Sequence, residues 1–511
     1  MRGRKIPQHQ YKWWLLVAVI IGAFMSILDS SIVNIALPKM MAVFSVGTNR
    51  IQWVATAYAL AMGVVQPSTA YLGNVWGQKK LYILSLVIFT IGSLLCGVAW
   101  NNDSMIFFRV VQAIGGGMIM PVSLSLVYAV FPPQERGMAI GIWGISAMIA
   151  PSIGPTLGGY LVEHLDWRMI FTINIPIGIF GVIFSWWVLE ETPTRKARFD
   201  ILGFLSIGVS LFCLILALSQ GQEEGWGSIY IVSLFIAALI AMLIFILIEL
   251  YHSEPLLDIK LFKDIAFTAS NLFNAGLTIV LFGTVFLLPI FMENLQGYTA
   301  METGIIMFPQ SLASGLTMPI SGKLSDKGYG KILIFTGIAL LLIGTIGLVY
   351  LDLDTPLNTI RFLLILRGIG LGLCMMPATN LGLAKIPIQK IASASSINNV
   401  VRQVASAFGI ALLSSMLDRR QIFHATRIME TLGDKGDQIY SLIDKLQMKF
   451  LHQGSNVVLA HQQALSIIAG NIKKQAATFA FDDCFAIIIV FTIVSFIPAF
   501  FLPSKLEKHS Q

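Results

Sequence analysis

Runs of about twenty apolar residues follow one another from Trp14 to Leu502, and they limit this chain more than any other feature. A helix rising ~1.5 Å per residue needs about 20 such residues to cross a ~30 Å hydrocarbon layer. Inside lipid every backbone N–H and C=O must also be satisfied within the protein. The spacing predicts fourteen spans, at 14–36, 51–73, 81–100, 105–131, 138–162, 169–189, 201–219, 228–248, 266–290, 302–324, 332–350, 360–384, 394–416 and 483–502. Of the 511 residues only 12% are charged, against about 25% in soluble domains. That is too few to solvate the surface of a soluble protein this long, and a disordered chain or a collagen-like fibre is excluded as well. Outer-membrane barrel strands alternate apolar and polar residues, so the runs also exclude a barrel. The reading is an all-α polytopic membrane protein.

The start, MRGRKIPQHQYKWW, is basic like a signal peptide but is followed by no small-residue cleavage site. It is read as leading into a first span that is kept. Cytoplasmic loops carry an excess of Lys and Arg, which tests the orientation. With the N-terminus inside, the short inner segments hold 18 Lys and Arg, including Arg2, Arg4, Lys5, Arg195, Lys196, Arg198, Lys505 and Lys508. The short outer loops hold four: Lys39, Arg50, Arg168 and Arg361. Both termini are therefore expected to be cytoplasmic, at 1–13 and 503–511.

The longer inner stretches 190–200 and 251–264 divide the chain. The expected layout is a six-helix bundle at 14–189, two inserted helices at 201–248, and a second six-helix bundle at 266–502. The outer segment 418–482 carries Arg419, Arg420, His424, Arg427, Lys435 and further basic residues. Its apolar residues recur at helical spacing, so it is expected to be partly helical and to cap the outer face.

Other chemistries lack residues to carry them. The seven histidines, from His9 to His509, lie in loops or tails. Cys96, Cys213, Cys374 and Cys484 sit singly in or beside apolar runs and are read as small hydrophobes. There is no HExxH, no P-loop and no paired CxxC. No metal, cofactor, nucleic-acid or enzyme role is expected. Four ionisable side chains lie well inside spans: Asp29, Arg109, Arg367 and Arg402. Such charges are costly in lipid and usually functional. Asp29 lies roughly 22 Å along the first span from Trp14 at ~1.5 Å per residue, and Arg109 enters the fourth span from outside, so the two can share a depth. Low dielectric favours a neutral carboxylate and a nearby guanidinium favours a charged one. Making and breaking that pair would load and release a proton.

Several segments together resemble the fourteen-span drug:proton antiporters of the major facilitator superfamily. The run Leu28–Pro38, LDSSIVNIALP, resembles their first-helix motif. Arg109, Gln112, Gly115, Gly116 and Gly117 are similar to the RxxQGxG motif. Gly144, Pro151, Gly154, Pro155, Gly158 and Gly159 resemble the antiporter motif, and Trp167, Arg168, Phe171, Asn174, Pro176 and Gly178 resemble WRxxFxxNxPxG. Weaker echoes are Arg367–Gly370 and Asn399, Arg402 and Gln403, so the resemblance covers essentially the whole chain.

The resemblance implies a major facilitator fold with two inserted helices and export driven by the proton gradient. It implies that Asp29 and Arg109 couple protons, with Gln112 extending the cluster and the Gly/Pro-rich helix sealing the outer side. The inner loop after the second span departs from the family pattern: Ala70, Asn74 and Val75 replace the usual Gly, Asp and Arg, while Gly77, Lys79 and Lys80 remain. The equivalent loop of the second half keeps Gly322, Asp326 and Lys327, so the inner gate is expected to lean on Asp326. Cavity-wall candidates are Tyr58, Gln66, Trp143, Asn271, Asn274, Asn380 and Asn399. The expected cargo is a hydrophobic or cationic drug-like molecule; a dedicated lipid, siderophore or metabolite is the alternative, and a sensor or membrane enzyme a distant third. The expected place is the bacterial cytoplasmic membrane. The subgroup most resembled is often paired with periplasmic adaptor proteins in Gram-negative bacteria, or acts alone in Gram-positive ones.

Overall fold

The computed structural model describes residues 7–194, 199–252, 255–433 and 436–503. The basic residues Arg2, Arg4, Lys5, Arg195, Lys196, Arg198, Lys435, Lys505 and Lys508, and His509, lie outside the described residues, as does most of both terminal segments.

The described residues form helices, turns and no strand. In order these are α1 (Gln8–Phe44), α2 (Thr48–Val65), α3 (Ser68–Trp76), α4 (Gln78–Gly97), α5 (Asn102–Val130), α6 (Arg136–His164), α7 (Met169–Thr172), α8 (Asn174–Val188) and α9 (Ile201–Glu224). There follow α10 (Ile229–Tyr251), α11 (Ile265–Asn294), α12 (Ala300–Leu324), α13 (Gly330–Val349), α14 (Leu357–Leu383), α15 (Ile391–Gly433), α16 (Gly436–His452), α17 (Val457–Val494) and α18 (Phe496–Phe500).

Twelve stretches among the described residues are long and apolar enough to cross a membrane. One of them, Ala300–Val349, is two helices: α12 and α13 part at Gly328, whose φ of 95° no helix accommodates. The expected span at 51–73 is not among the twelve. It is α2 and α3, divided at Gln66 and Pro67, and its buried Gln66, Ser68 and Thr69 lower its apolarity. The last two expected spans are parts of longer helices. α15 runs on to Gly433 and α17 begins at Val457, because the outer segment continues their helical pattern. With α16 they make that segment helical apart from the turn at 453–456 and residues 434–435, which are not described.

The helix starts are set by side chains that take up free backbone N–H groups. Asn101 and Ser104 form a capping box on α5, and Thr299 and Glu302 form one on α12. Asp200, Asp264 and Asn456 accept from Gly203, Phe267 and Leu459 at the starts of α9, α11 and α17.

The main contact between α1–α8 and α11–α18 is α6 along α12. α15 adds contacts to α3, α5 and α9. α9 packs between α2 and α15 and carries α10 on its far side. Burial sorts these helices. Over its most apolar window α5 is 83% buried and α10 only 22%, so α5 is central and α10 presents its apolar face to lipid. α5 can sit there because Gly115 lets the α4 backbone approach; a Cβ would stand 2.5 Å from both the Phe89 nitrogen and the Ser85 oxygen.

Lys12, Lys79, Glu135, Asp326 and Lys390 lie at one end of the molecule, joined by contacts such as the Lys12–Glu135 and Lys390–Asp258 ion pairs. We call this the basic end. α16 and the extensions of α15 and α17 lie at the opposite end.

Candidate functional site

Three polar arrangements among the described residues gather most of the expected site residues. The first surrounds Asp29 on α1, which is 0% exposed. Arg109 Nη1 donates to its Oδ2 at 2.5 Å. Gln112 Nε2 and Asn174 Nδ2 donate to its Oδ1 at 2.8 and 2.9 Å. Both amides also reach Ser93 Oγ, at 3.2 and 3.0 Å, and Ser93 donates to the Phe171 carbonyl. Arg109 and Gln112 are three residues apart on α5 and so share a face. Asn174 is placed by the start of α8, and Ser93 by α4. Arg109 is further held by Gln112 Oε1 at 2.7 Å, the Val54 carbonyl at 3.4 Å and the ring of Tyr58, 3.9 Å from the guanidinium carbon.

The carboxylate of Asp29 thus accepts three donors from two other helices, none of which can reverse its role in this geometry. The donors are carried by α5 and α8, so a movement of either helix against α1 changes what the carboxylate is bonded to. Asn174 and Ser93 were not singled out as site residues from sequence. Asn174 belonged to a quoted motif; Ser93 carried no signal.

The second arrangement is a narrow polar cavity between the two sets of helices. Trp143, Asn271, Asn274 and Asn399 line it, with Leu124, Ile140, Met376, Thr379, Asn398, Val401 and Arg402. The other wall candidates lie elsewhere. Tyr58 stacks under Arg109, Gln66 is buried at the α2–α3 break, and Asn380 donates to Asp326 Oδ1 at 3.0 Å. On the cavity wall the amide oxygens of Asn271, Asn274 and Asn398 are buried and unpartnered, and so is the Trp143 Nε1 donor.

The third lies at the basic end. Asp326 accepts from the backbone N–H groups of Gly137 at 2.9 Å and Met138 at 3.1 Å. Those groups open α6, where helix geometry leaves donors free and the dipole favours a carboxylate. The contact closes the basic end between the two sets. Beside it Gly137 and Gly322 meet backbone to backbone; a Cβ on Gly137 would lie 2.5 Å from the Gly322 oxygen. The remaining gate candidates do not cross between the sets. Gly77 turns with φ 90°, and Lys79 Nζ donates to the carbonyls of Trp186 and Leu189 at the end of α8. Asn74, Lys80 and Lys327 are exposed. Gln78, not expected at the gate, binds Ser125 and Thr192.

The antiporter-motif helix α6 faces both ways. Gly154 and Gly158 admit Ser31 and Ile32 of α1, while Gly144 lies against Met318 and Met376. Gly159 lies near Met301 of α12, and Ser152 meets Ser311 of that helix. The other buried arginine, Arg367, has no carboxylate. Its guanidinium donates to the hydroxyls of Thr345 and Thr284, and its Nε is unpartnered.

A membrane-embedded bundle of this kind, with a polar cavity between two helix sets and a buried charge pair in one of them, defines a transporter class. The Major Facilitator Superfamily pattern matches residues 19–410, and the chain belongs to that superfamily. It is a transporter and not an enzyme. It is 34% identical over 423 residues to the multidrug transporter protein MdtP of Bacillus subtilis, covering 82% of this chain and 78% of that one. It is 36% identical over 406 residues to the riboflavin transporter RibZ of Clostridioides difficile, covering 79% and 88%. Among solved structures it resembles a bacterial homologue of the human lysosomal transporter Spinster, inward-facing and unoccupied, with a TM-score of 0.57 and 15% identity over 98% of both chains. Relatives such as MdtP place it with the superfamily's drug:proton antiporter family.

Proposed function

We propose that the chain is a proton-coupled antiporter that exports hydrophobic, drug-like compounds from the bacterial cytoplasm. The observation that carries this reading is Asp29: a fully buried carboxylate held by Arg109, Gln112 and Asn174 from two other helices. Proton uptake by Asp29 releases a donor and frees α1 relative to α5 and α8. Proton loss restores the three bonds. The state of the carboxylate is so tied to the arrangement of the helices, which is what coupling requires.

In this reading the bundles 14–189 and 266–502 rock about the α6–α12 contact, and the pair 201–248 rides outside them. The basic end faces the cytoplasm, with both termini there, and the Asp326–α6 contact is its closed gate. The proton gradient is the only energy source, with no cofactor. The name of MdtP supports a broad substrate range. The name of RibZ supports a single metabolite as cargo, and the second reading is its dedicated export by the same cycle. The helical segment 418–482 is the part an adaptor protein would meet.

The test is purified protein in liposomes with an imposed pH gradient and a panel of unrelated compounds. Gradient-dependent movement of several supports the broad exporter, and movement of one supports the dedicated one. No gradient dependence with any compound overturns proton coupling.

A further inference from the structure

The central cavity holds an unpaired positive charge. Arg402, on α15, lines it, is partly accessible from it, and forms no hydrogen bond or ion pair with any described residue. No Asp or Glu lines the cavity. Asp29, the only acid among the four charges deep in the spans, is committed to Arg109. Arg367 adds a second positive charge without a carboxylate. A guanidinium stays protonated in proteins and presents five donors in a planar fork suited to carboxylates and similar anions. In low dielectric it attracts an anion strongly and repels a cation equally. A second donor, Trp143 Nε1, is buried on the opposite wall without a partner. Met376 and Val401 supply apolar surface beside it.

We propose that the cavity selects an organic anion: a flat or elongated apolar body bearing one carboxylate or similar acidic group, with the acid on Arg402 and the body between the two helix sets. This rests on the exporter reading above and names its substrate class, an anion where the sequence led to the expectation of a hydrophobic or cationic cargo. Arg402 is then the residue that sets specificity for charge.

One fluorescent scaffold in three versions, carrying a carboxylate, a carboxamide or a trimethylammonium group, tests this on the full-length protein. Binding is read by anisotropy, and transport in liposomes under a pH gradient. The expected order of binding is carboxylate, carboxamide, trimethylammonium. Loss of one charge-assisted pair predicts that Arg402→Gln weakens the carboxylate about 10- to 100-fold and leaves the carboxamide unchanged. Arg402→Lys retains part of the preference. Asn399→Asp, one helical turn from Arg402, supplies an internal counter-ion; it weakens the carboxylate and strengthens the trimethylammonium without removing the arginine. Preference for trimethylammonium in the wild type, or equal effects of Arg402→Gln on all three versions, overturns the proposal. Gradient-driven transport of the cation independent of Arg402 also sinks it and leaves the exporter reading standing. Arg402-dependent carboxylate binding with no gradient-driven transport keeps the anion site and sinks the exporter reading.

Discussion

The hydroxyl of Ser31 donates to the carbonyl of Pro151 at 3.0 Å. In an unbroken helix that carbonyl would accept from the N–H four residues on, and position 155 is a proline with no N–H. α1 therefore satisfies a group that the sequence of α6 leaves open, in a setting where water cannot.

This gives a thermodynamic cycle. Ser31→Ala strands the carbonyl and is expected to lower stability by about 1 kcal/mol, read as a lower Tm in detergent. Pro155→Ala restores the helix's own donor, so in that background Ser31→Ala should cost almost nothing. Equal costs in both backgrounds would show that the bond contributes nothing.

Asp29→Asn is expected to abolish pH-gradient-driven transport, to the level of empty liposomes. It also leaves Arg109 buried without a counter-charge, at a cost of about 3 kcal/mol or more. The double variant Asp29→Asn/Arg109→Gln should recover stability but not gradient-driven transport. Recovery of both would mean that Asp29 only holds α1 in place.

Asp326→Asn removes charge from a contact with two α6 N–H groups. Weakening it by about 1.5–3 kcal/mol moves the open-to-closed ratio at the basic end by about 10- to 150-fold. Spin labels on the exposed positions 134 and 327 should show longer distances in the variant. An unchanged distance distribution would remove Asp326 from the gate.

Gly322→Ala places a methyl group against the Gly137 carbonyl. The basic end should then fail to close, and a cysteine in place of Thr379, beside the cavity, should react with a hydrophilic thiol reagent added from that end. Protection as in the wild type would show that the backbones can separate without opening a path.

Asp29 and Arg109 stand out in the sequence because so few charges interrupt the apolar runs. Ser93 does not, and its own helix explains why. Ser85 and Thr90 on α4 turn back to carbonyls four residues earlier, at 2.7 Å each, whereas Ser93 reaches across to Gln112 and Asn174. A hydroxyl in a span satisfies itself either way, and only packing decides. Tyr58 is a similar case: its aromatic ring reads as cavity wall, but the orientation of α2 sets it beneath Arg109. The second span was the hardest to read from apolarity because Gln66, Ser68 and Thr69 are buried in protein and not exposed to lipid. The helical outer segment was legible in outline from its spacing, but spacing could not show that α15 passes into it without a break.

That unbroken helix has a mechanical consequence. From Arg402 in the cavity wall to Gly433 at its far end, α15 extends about 46 Å at ~1.5 Å per residue. Arg420 and His424 on it are tied to Asp483 on α17 at 2.5 and 2.7 Å. A small tilt at the cavity therefore becomes a much larger sweep at the tip, shared by two helices. A rigid tilt of α15 at the cavity would thus be legible on the far surface of the protein.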